Sequence, residues 1–221
     1  MAVHYRTQGL ILKKSDRGEA DRVFTIYTED FGKLEILARA IRKIKSKLRG
    51  GADLFYLSEI EFIQGKTHKT LTDAILINSF KNVRSDLERL EVAYQIAETL
   101  DNLTPPEEKD EQIWQLTRKV FQKLNNYEIK NSLKIKNLKL KIIYYYFFWN
   151  LVSILGYQPE LRKDSLCDKK IDTDLAKILK IILKRDWQTL SRLKIEPRHF
   201  KLLKSASEWY NKNIVSSAYE E

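Results

Sequence analysis

A single cysteine, Cys167, is all the thiol chemistry that these 221 residues contain. No disulfide framework forms within such a chain, and a reducing cytoplasm is its expected home. The three histidines, His4, His68 and His199, are far apart in sequence and have neither metal nor triad spacing. The seven glycines and four prolines mark no low-complexity tract and no internal repeat. They form no Walker-type phosphate loop and no dinucleotide fingerprint, and the isolated pair Gly50-Gly51 reads as a turn of the chain. The N-terminus, MAVHYRTQGL, lacks the basic-then-apolar layout of a signal peptide. The longest apolar stretch, residues 142–155, contains Asn150 and Ser153. It is shorter than the roughly 20 residues a membrane helix needs and reads as a buried core helix. Carboxylates lie scattered beside lysines, the pattern of solvated helix faces. No catalytic residue, cofactor or metal site is expected, and no membrane partner.

What the chain has is positive charge. Lysine and arginine number 40 against 30 acidic residues, a formal net charge of +10. An excess of this size speaks about partners: nucleic acid, an anionic membrane surface or an acidic protein segment. With 43% hydrophobic and 32% charged residues, the chain has the composition of a folded globular protein.

The periodicity changes near residue 80. Before it, five segments read as strands. Residues 33–39 (KLEILAR) alternate, with Leu34, Ile36 and Ala38 on one face and Lys33, Glu35 and Arg39 on the other. Residues 21–28 are rich in strand formers, and the turn Glu29-Asp30-Phe31-Gly32 joins the two as a hairpin. Ser58, Ile60 and Phe62 alternate with Glu59 and Glu61, residues 69–78 follow, and residues 5–14 lead. Five short strands suggest a small closed barrel, either an OB-fold or an SH3-like barrel. Beyond residue 80, Val83, Leu87, Leu90, Tyr94 and Ala97 recur at helical spacing, with Ser85 to Glu88 in the form of a capping box. Thr104-Pro105-Pro106 breaks that helix. Ile113, Thr117, Val120 and Leu124 mark a second helix, residues 133–155 a third, and 174–184 and 196–215 two more. The fold class is therefore α+β, with a barrel domain at 1–80 and a helical domain at 81–221.

The strongest local signal is electrostatic. Residues 39–50 hold six cations, Arg39, Arg42, Lys43, Lys45, Lys47 and Arg49, and no acid. Such a run repels itself unless anions are near, and each phosphate it neutralises releases condensed counterions. Ser46 and the amides around Gly50 add neutral donors for phosphate oxygens. On or beside the hairpin of the second and third strands, Phe24, Tyr27 and Phe31 lie where an OB surface stacks bases. Alternation puts Phe24 and Tyr27 on opposite faces, so at least one is core, and the core is the expected place for all three. The aromatic block at 144–149 covers every side of a helix and reads as burial. Eleven Lys or Arg between Lys169 and Lys204 form a basic helical surface suited to an acidic, hydrophobic peptide tail.

The order and spacing of several elements resemble the RecO family of bacterial recombination mediators. They are Tyr5-x-x-x-Gly9-x-Ile11-Leu12, Gly18-Glu19-x-Asp21, Thr28-Glu29-x-x-Gly32-Lys33 and Ala38-Arg39-x-x-Arg42-x-x-x-Ser46. Leu155-Gly156-Tyr157-x-Pro159-Glu160-Leu161 follows in the second half, so the likeness spans nearly the whole chain. The resemblance implies an N-terminal OB-fold, an α-helical C-terminal domain, binding of single- and double-stranded DNA, and annealing of complementary strands. It implies RecR and the acidic tail of single-stranded DNA-binding protein (SSB) as partners, assistance to RecA loading, and a nucleoid-associated place in a bacterial cytoplasm. It carries phosphate binding onto Arg39, Arg42 and the basic residues flanking Ser46. Many family members have two Cys-x-x-Cys pairs suited to structural zinc. Here Asp164 and Cys167 stand for the first pair and the second has no cysteine, so the region near 157–172 is a degenerate, cysteine-poor zinc finger. Two other readings compete: an RNA- or ribosome-associated OB-fold protein, and a nucleic-acid-processing enzyme whose site is not local in sequence.

Overall fold

The computed structural model describes residues 3–127, 133–162, 165–166 and 169–215. The chain divides into two compact units, Met1–Asn125 and Asn126–Glu221. The change from strand to helix falls earlier, after residue 78. The first helices thus belong to the same compact unit as the strands.

Five strands make a closed barrel: β1 (His4–Arg17), β2 (Asp21–Thr28), β3 (Gly32–Ala38), β4 (Leu57–Gln64) and β5 (Lys69–Asn78). Their order around the barrel is β1-β2-β3-β5-β4, with β1 paired to β4 to close the ring. All neighbours are antiparallel except β3 and β5, which meet through Ile36–Lys69 and Leu37–Thr70. This Greek-key order decides between the two barrels that the pattern left open, and it is the OB-fold. The long strand β1 pairs with β4 through its first half and with β2 through its second, with a register shift between Ile11 and Lys13. Ile11, Phe24, Ile26, Leu34, Ile36, Ile60 and Phe62 fill the interior. Burying each such side chain contributes roughly 1.5–3 kcal/mol.

Phe24 and Tyr27 are both buried, although they lie on opposite faces of β2. The burial of Leu10 and Leu12 as well as Ile11 on β1 shows the same thing. The barrel has an inner core and a second, covered outer face, and α2 packs against β1. After α1 (Lys81–Ser85) the chain breaks at Asp86, which is extended, and restarts as α2 (Leu87–Leu103). Asp86 accepts from the amides of Glu88 and Arg89 at 3.1 and 3.2 Å, so the cap is this aspartate and the expected Ser85–Glu88 capping box does not form. The break also resets the helical phase. Leu87 and Tyr94 are 81% and 50% exposed, and the buried face is Val92, Ala93, Ile96, Ala97, Leu100 and Leu103. α3 (Glu111–Asn126) buries Ile113, Thr117, Val120 and Leu124 as expected. Buried Arg89 donates to the carbonyls of Leu124 and Asn125 at 3.0 and 2.6 Å, satisfying the end of that helix.

The second unit is built around α4 (Leu133–Ile154), whose block Tyr145 to Trp149 is buried throughout. α5 (Thr173–Leu183) and α7 (Pro197–Tyr210) pack on it, and α6 (Trp187–Arg192) packs on α5. Buried Asn150 donates to the carbonyls of Tyr146 and Ile182, tying α4 to the end of α5. Three two-residue strands, β6 (Leu161–Arg162), β7 (Ser165–Leu166) and β8 (Lys169–Lys170), form a small antiparallel sheet that the sequence pattern did not announce. Among the described residues no helix is long and apolar enough to cross a membrane.

Candidate nucleic-acid interface

The basic loop leaves the barrel at the end of β3 and returns at β4. Its form is set by a few apolar anchors. Ile41 and Ala52 belong to the barrel core, and Leu48 packs against it. The amide of Ala40 donates to Asp21 at 2.7 Å, and that of Arg42 to the Ala20 carbonyl at 3.0 Å. One 3-10 turn, Lys47–Gly50, precedes Gly51. A Cβ on Gly51 would lie 1.8 Å from the carbonyl oxygen of Ala74, so the loop's return is pressed against β5 where only glycine fits. Its amide is taken by Leu48 and its carbonyl accepts from buried Ser58 at 2.6 Å. Gly51 therefore anchors the loop, a role that the reading of Gly50-Gly51 as a simple turn does not contain.

Between these anchors all six expected cations are exposed. Arg42 is engaged: its guanidinium donates to the Gly18 carbonyl at 3.2 Å and lies 3.5 Å from Asp16. Asp16 also accepts from Arg22 at 2.7 Å, and the Arg22 hydrogen bond, aided by the charge of Arg42, holds its carboxyl below the usual range. Arg39, Lys43, Lys45, Lys47 and Arg49 make no ion pair among the described residues. Ser46 makes no side-chain cap bond. Ile44, at the centre of the run, is 91% exposed. The loop is a set of like charges held in place by apolar anchors, with no ion-pair partner for five of them among the described residues.

A second cationic cluster lies elsewhere on the barrel, and the sequence reading missed it. Lys33 and Lys69 come together because β3 and β5 are neighbours, a parallel pairing that spacing along the chain does not reveal. Outward alternation at Lys33 was the one available signal. With Lys66, His68, Thr25 and Gln64 they line a cavity of about 530 Å³. A smaller one of about 190 Å³ adjoins, sharing Gln64, Lys69 and Glu107 and walled by Tyr5, Phe31 and Phe62. Those three rings have centroids 5.4–5.6 Å apart. Phe31, expected in the core, is half-buried at this edge.

Comparison with known proteins accords with this architecture. Residues 1–80 match the family described as Recombination protein O N terminal, and residues 84–176 match Recombination protein O C terminal. The chain belongs to the RecO family. Among curated relatives, the DNA repair protein RecO of Dehalococcoides mccartyi is 32% identical over 76% of this chain and 62% of its own length. The protein of the same name from a Thermoanaerobacter species is 27% identical over 75% of this chain and 63% of the relative. That of a Roseiflexus species is 31% identical over 74% and 54%. The chain thus spans less than two thirds of the length of these RecO relatives.

In the second unit, the described lysines and arginines between 170 and 204 are all exposed. Several are paired: Lys177 and Arg198 with Asp174, Arg198 with Glu196, and Lys204 with Glu208. No large apolar side chain of this unit is exposed among the described residues, so the apolar half of the expected peptide surface is not seen there. Asp164 and Cys167 lie outside the described residues. With one cysteine in the chain, the residues present do not fit a four-cysteine zinc site. The described residues hold no cluster of three or more His, Cys, Asp or Glu suited to a metal.

Proposed function

We infer that this RecO-family chain is a DNA-binding recombination mediator in DNA repair, acting without catalytic turnover. The observation that carries the reading is the pinned loop at 39–50, with five exposed cations unpartnered within the described residues, on an OB barrel. Phosphate oxygens are the anions that such a row neutralises in series, and counterion release supplies the binding free energy. Contacts of this kind carry no base sequence, which suits a protein that engages single and double strands alike and anneals complementary ones. The curated relatives carry the name DNA repair protein, which supports DNA as the polyanion. RecR and the acidic SSB tail are the partners proposed with it, the basic surface of the second unit being the complement of an acidic tail, and RecA loading the step served. The proposed domains are 1–80 for DNA and 81–221 for the helical part.

The test is a salt titration of binding to a single-stranded oligonucleotide. Replacing Lys43, Lys45, Lys47 and Arg49 together by Gln should flatten the slope of log K against log salt by about 3, given about 0.7 per lost phosphate contact on single strands. A variant with wild-type affinity and slope would remove the loop as the main contact. RNA of equal length, run in parallel, separates the DNA reading from an RNA-binding one. Annealing of SSB-coated complementary strands tests the mediator role.

A further inference from the structure

The lysine cluster on the barrel is already occupied by anions that the chain itself supplies. The segment 104–110 between α2 and α3 lies along β3, with a parallel bridge between Lys33 and Pro106 and the Glu107 amide donating to the Lys33 carbonyl at 2.9 Å. Asp101, near the end of α2, accepts from Lys13 at 2.5 Å and lies 3.2 Å from Lys33. Burial works against its ionisation, but the hydrogen bonds from Lys13 and Lys33 outweigh this and hold its carboxyl below the usual range. Glu107 reaches Lys69 at 2.5 Å.

These two carboxylates differ in how firmly they are held. Asp101 sits on a helix, has two lysine partners and is 21% exposed. Glu107 has one partner, is 64% exposed, and stands at φ +61, a left-handed conformation that costs a non-glycine residue about 1 kcal/mol or more. The lysine beneath it, Lys69, is only 13% exposed. A largely covered cation is thus closed off from solvent by an exposed carboxylate on strained backbone. Glu107 also borders both cavities, the polar one with Lys66 and the aromatic one with Tyr5 and Phe31. Lys66 makes no ion pair among the described residues.

We propose that Glu107 is a built-in competitor for a second nucleic-acid site: a phosphate of a single strand displaces it from Lys69 while a base enters the aromatic cavity. This rests on the nucleic-acid reading above and deepens it. The exchange is of one anion for another, so it needs no new charge in the barrel. Phosphate has the advantage of releasing counterions and bringing a stacking base, a contribution that a paired duplex cannot make. Lys33, early in β3, and Arg39, in the turn that follows β3, are six residues or about 20 Å apart along the chain. A single strand held by the basic loop can therefore run along β3 to this site.

The experiment measures binding of a labelled oligo(dT) and of a duplex of equal length to the full chain, as a function of salt. Glu107→Gln should bind oligo(dT) about three- to fivefold tighter at low salt, the size of one exposed ion pair removed. Its salt slope should steepen by up to about 0.7, because Lys69 then meets phosphate in every complex and not only in those where Glu107 has been displaced. Glu108→Gln makes the same change of net charge one residue away, outside both cavities, and should do neither. Lys69→Gln with Glu107→Gln should cancel the gain, and thermal midpoints verify that each variant is folded. The proposal is overturned if Glu107→Gln is unchanged, if Glu108→Gln gains as much, or if the duplex gains equally. It is also overturned if a labelled acidic peptide gains and the oligonucleotide does not. Repeating the comparison with the loop cations neutralised separates the two readings. If the neutralised loop keeps wild-type binding, the loop reading fails while the Glu107 gain stands or falls alone. If neither chain binds oligonucleotide, both fail.

Discussion

Gly32 ends the turn between β2 and β3, and the structure predicts that Gly32→Ala is among the most damaging small changes to the first unit. Its φ is +63, and a Cβ built there would lie 2.0 Å from the carbonyl oxygen of Glu108 and 2.5 Å from its carbon. Both partners of the clash are backbone, so no side-chain rotation relieves it. The left-handed conformation costs an alanine about 1 kcal/mol. Moving the 104–110 segment away loses the hydrogen bond from the Glu107 amide to Lys33, about 1 kcal/mol. Residual overpacking adds about 1 kcal/mol more. A total of about 3 kcal/mol is set against an unfolding entropy of about 2.1 cal/mol/K per residue, so the midpoint of a unit the size of Met1–Asn125 falls by about 11 °C. The assay is thermal unfolding followed by circular dichroism or calorimetry. Gly50→Ala is the control, because an added Cβ there meets nothing within 4 Å, and it should move the midpoint by less than about 2 °C. A loss below about 3 °C for Gly32→Ala, or equal losses for the two variants, would refute the close approach of segment and strand.

Two further outcomes follow from the same unit. Asp86→Ala removes the cap of α2 and should cost about 1 kcal/mol, or about 4 °C, while Ser85→Ala should cost almost nothing; the reverse ranking would restore the capping box at Ser85. Glu61 accepts hydrogen bonds from His4, Arg6 and Thr72, which draw its carboxyl from 4.5 down to about 2. A carboxyl depressed on folding stabilises fully above its unfolded value and loses that contribution as pH falls. The thermal midpoint should therefore fall more steeply between pH 4.5 and 2 in the wild type than in Glu61→Gln, and parallel curves would show that the network adds nothing.

The barrel was legible because its inner face obeys a period of two and its turns carry the right residues. Leu34, Ile36 and Ala38 announce β3, and Gly32 announces the hairpin. The outer face was not legible. Tyr27, Leu10 and Leu12 are buried as well, α2 packing on β1, and alternation within one strand does not register a second covered side. The phase of α2 was misread for a related reason. The run from Val83 to Ala97 looks periodic, but one extended residue at Asp86 rotates everything after it. The basic loop needed only composition to be found. The Lys33–Lys69 cluster needed topology, since its members lie 36 positions apart and meet through the one parallel pair in the barrel.

The two cation sets differ in a way that bears on how the chain would meet a polyanion. Lys13, Lys33 and Lys69 already have carboxylate partners within hydrogen-bond distance, so a phosphate arriving there replaces an existing interaction. Among the described residues Arg39, Lys43, Lys45, Lys47 and Arg49 have none, so a phosphate arriving at the loop relieves repulsion outright. On the proposed reading, first contact belongs to the loop, where approach is unopposed and long-range attraction is strongest at low salt. Exchange at the lysine cluster comes second, once the strand is held nearby and its effective concentration is high enough to compete with a tethered carboxylate. A rigid duplex satisfies the first condition, whereas a flexible single strand with unstacked bases satisfies both.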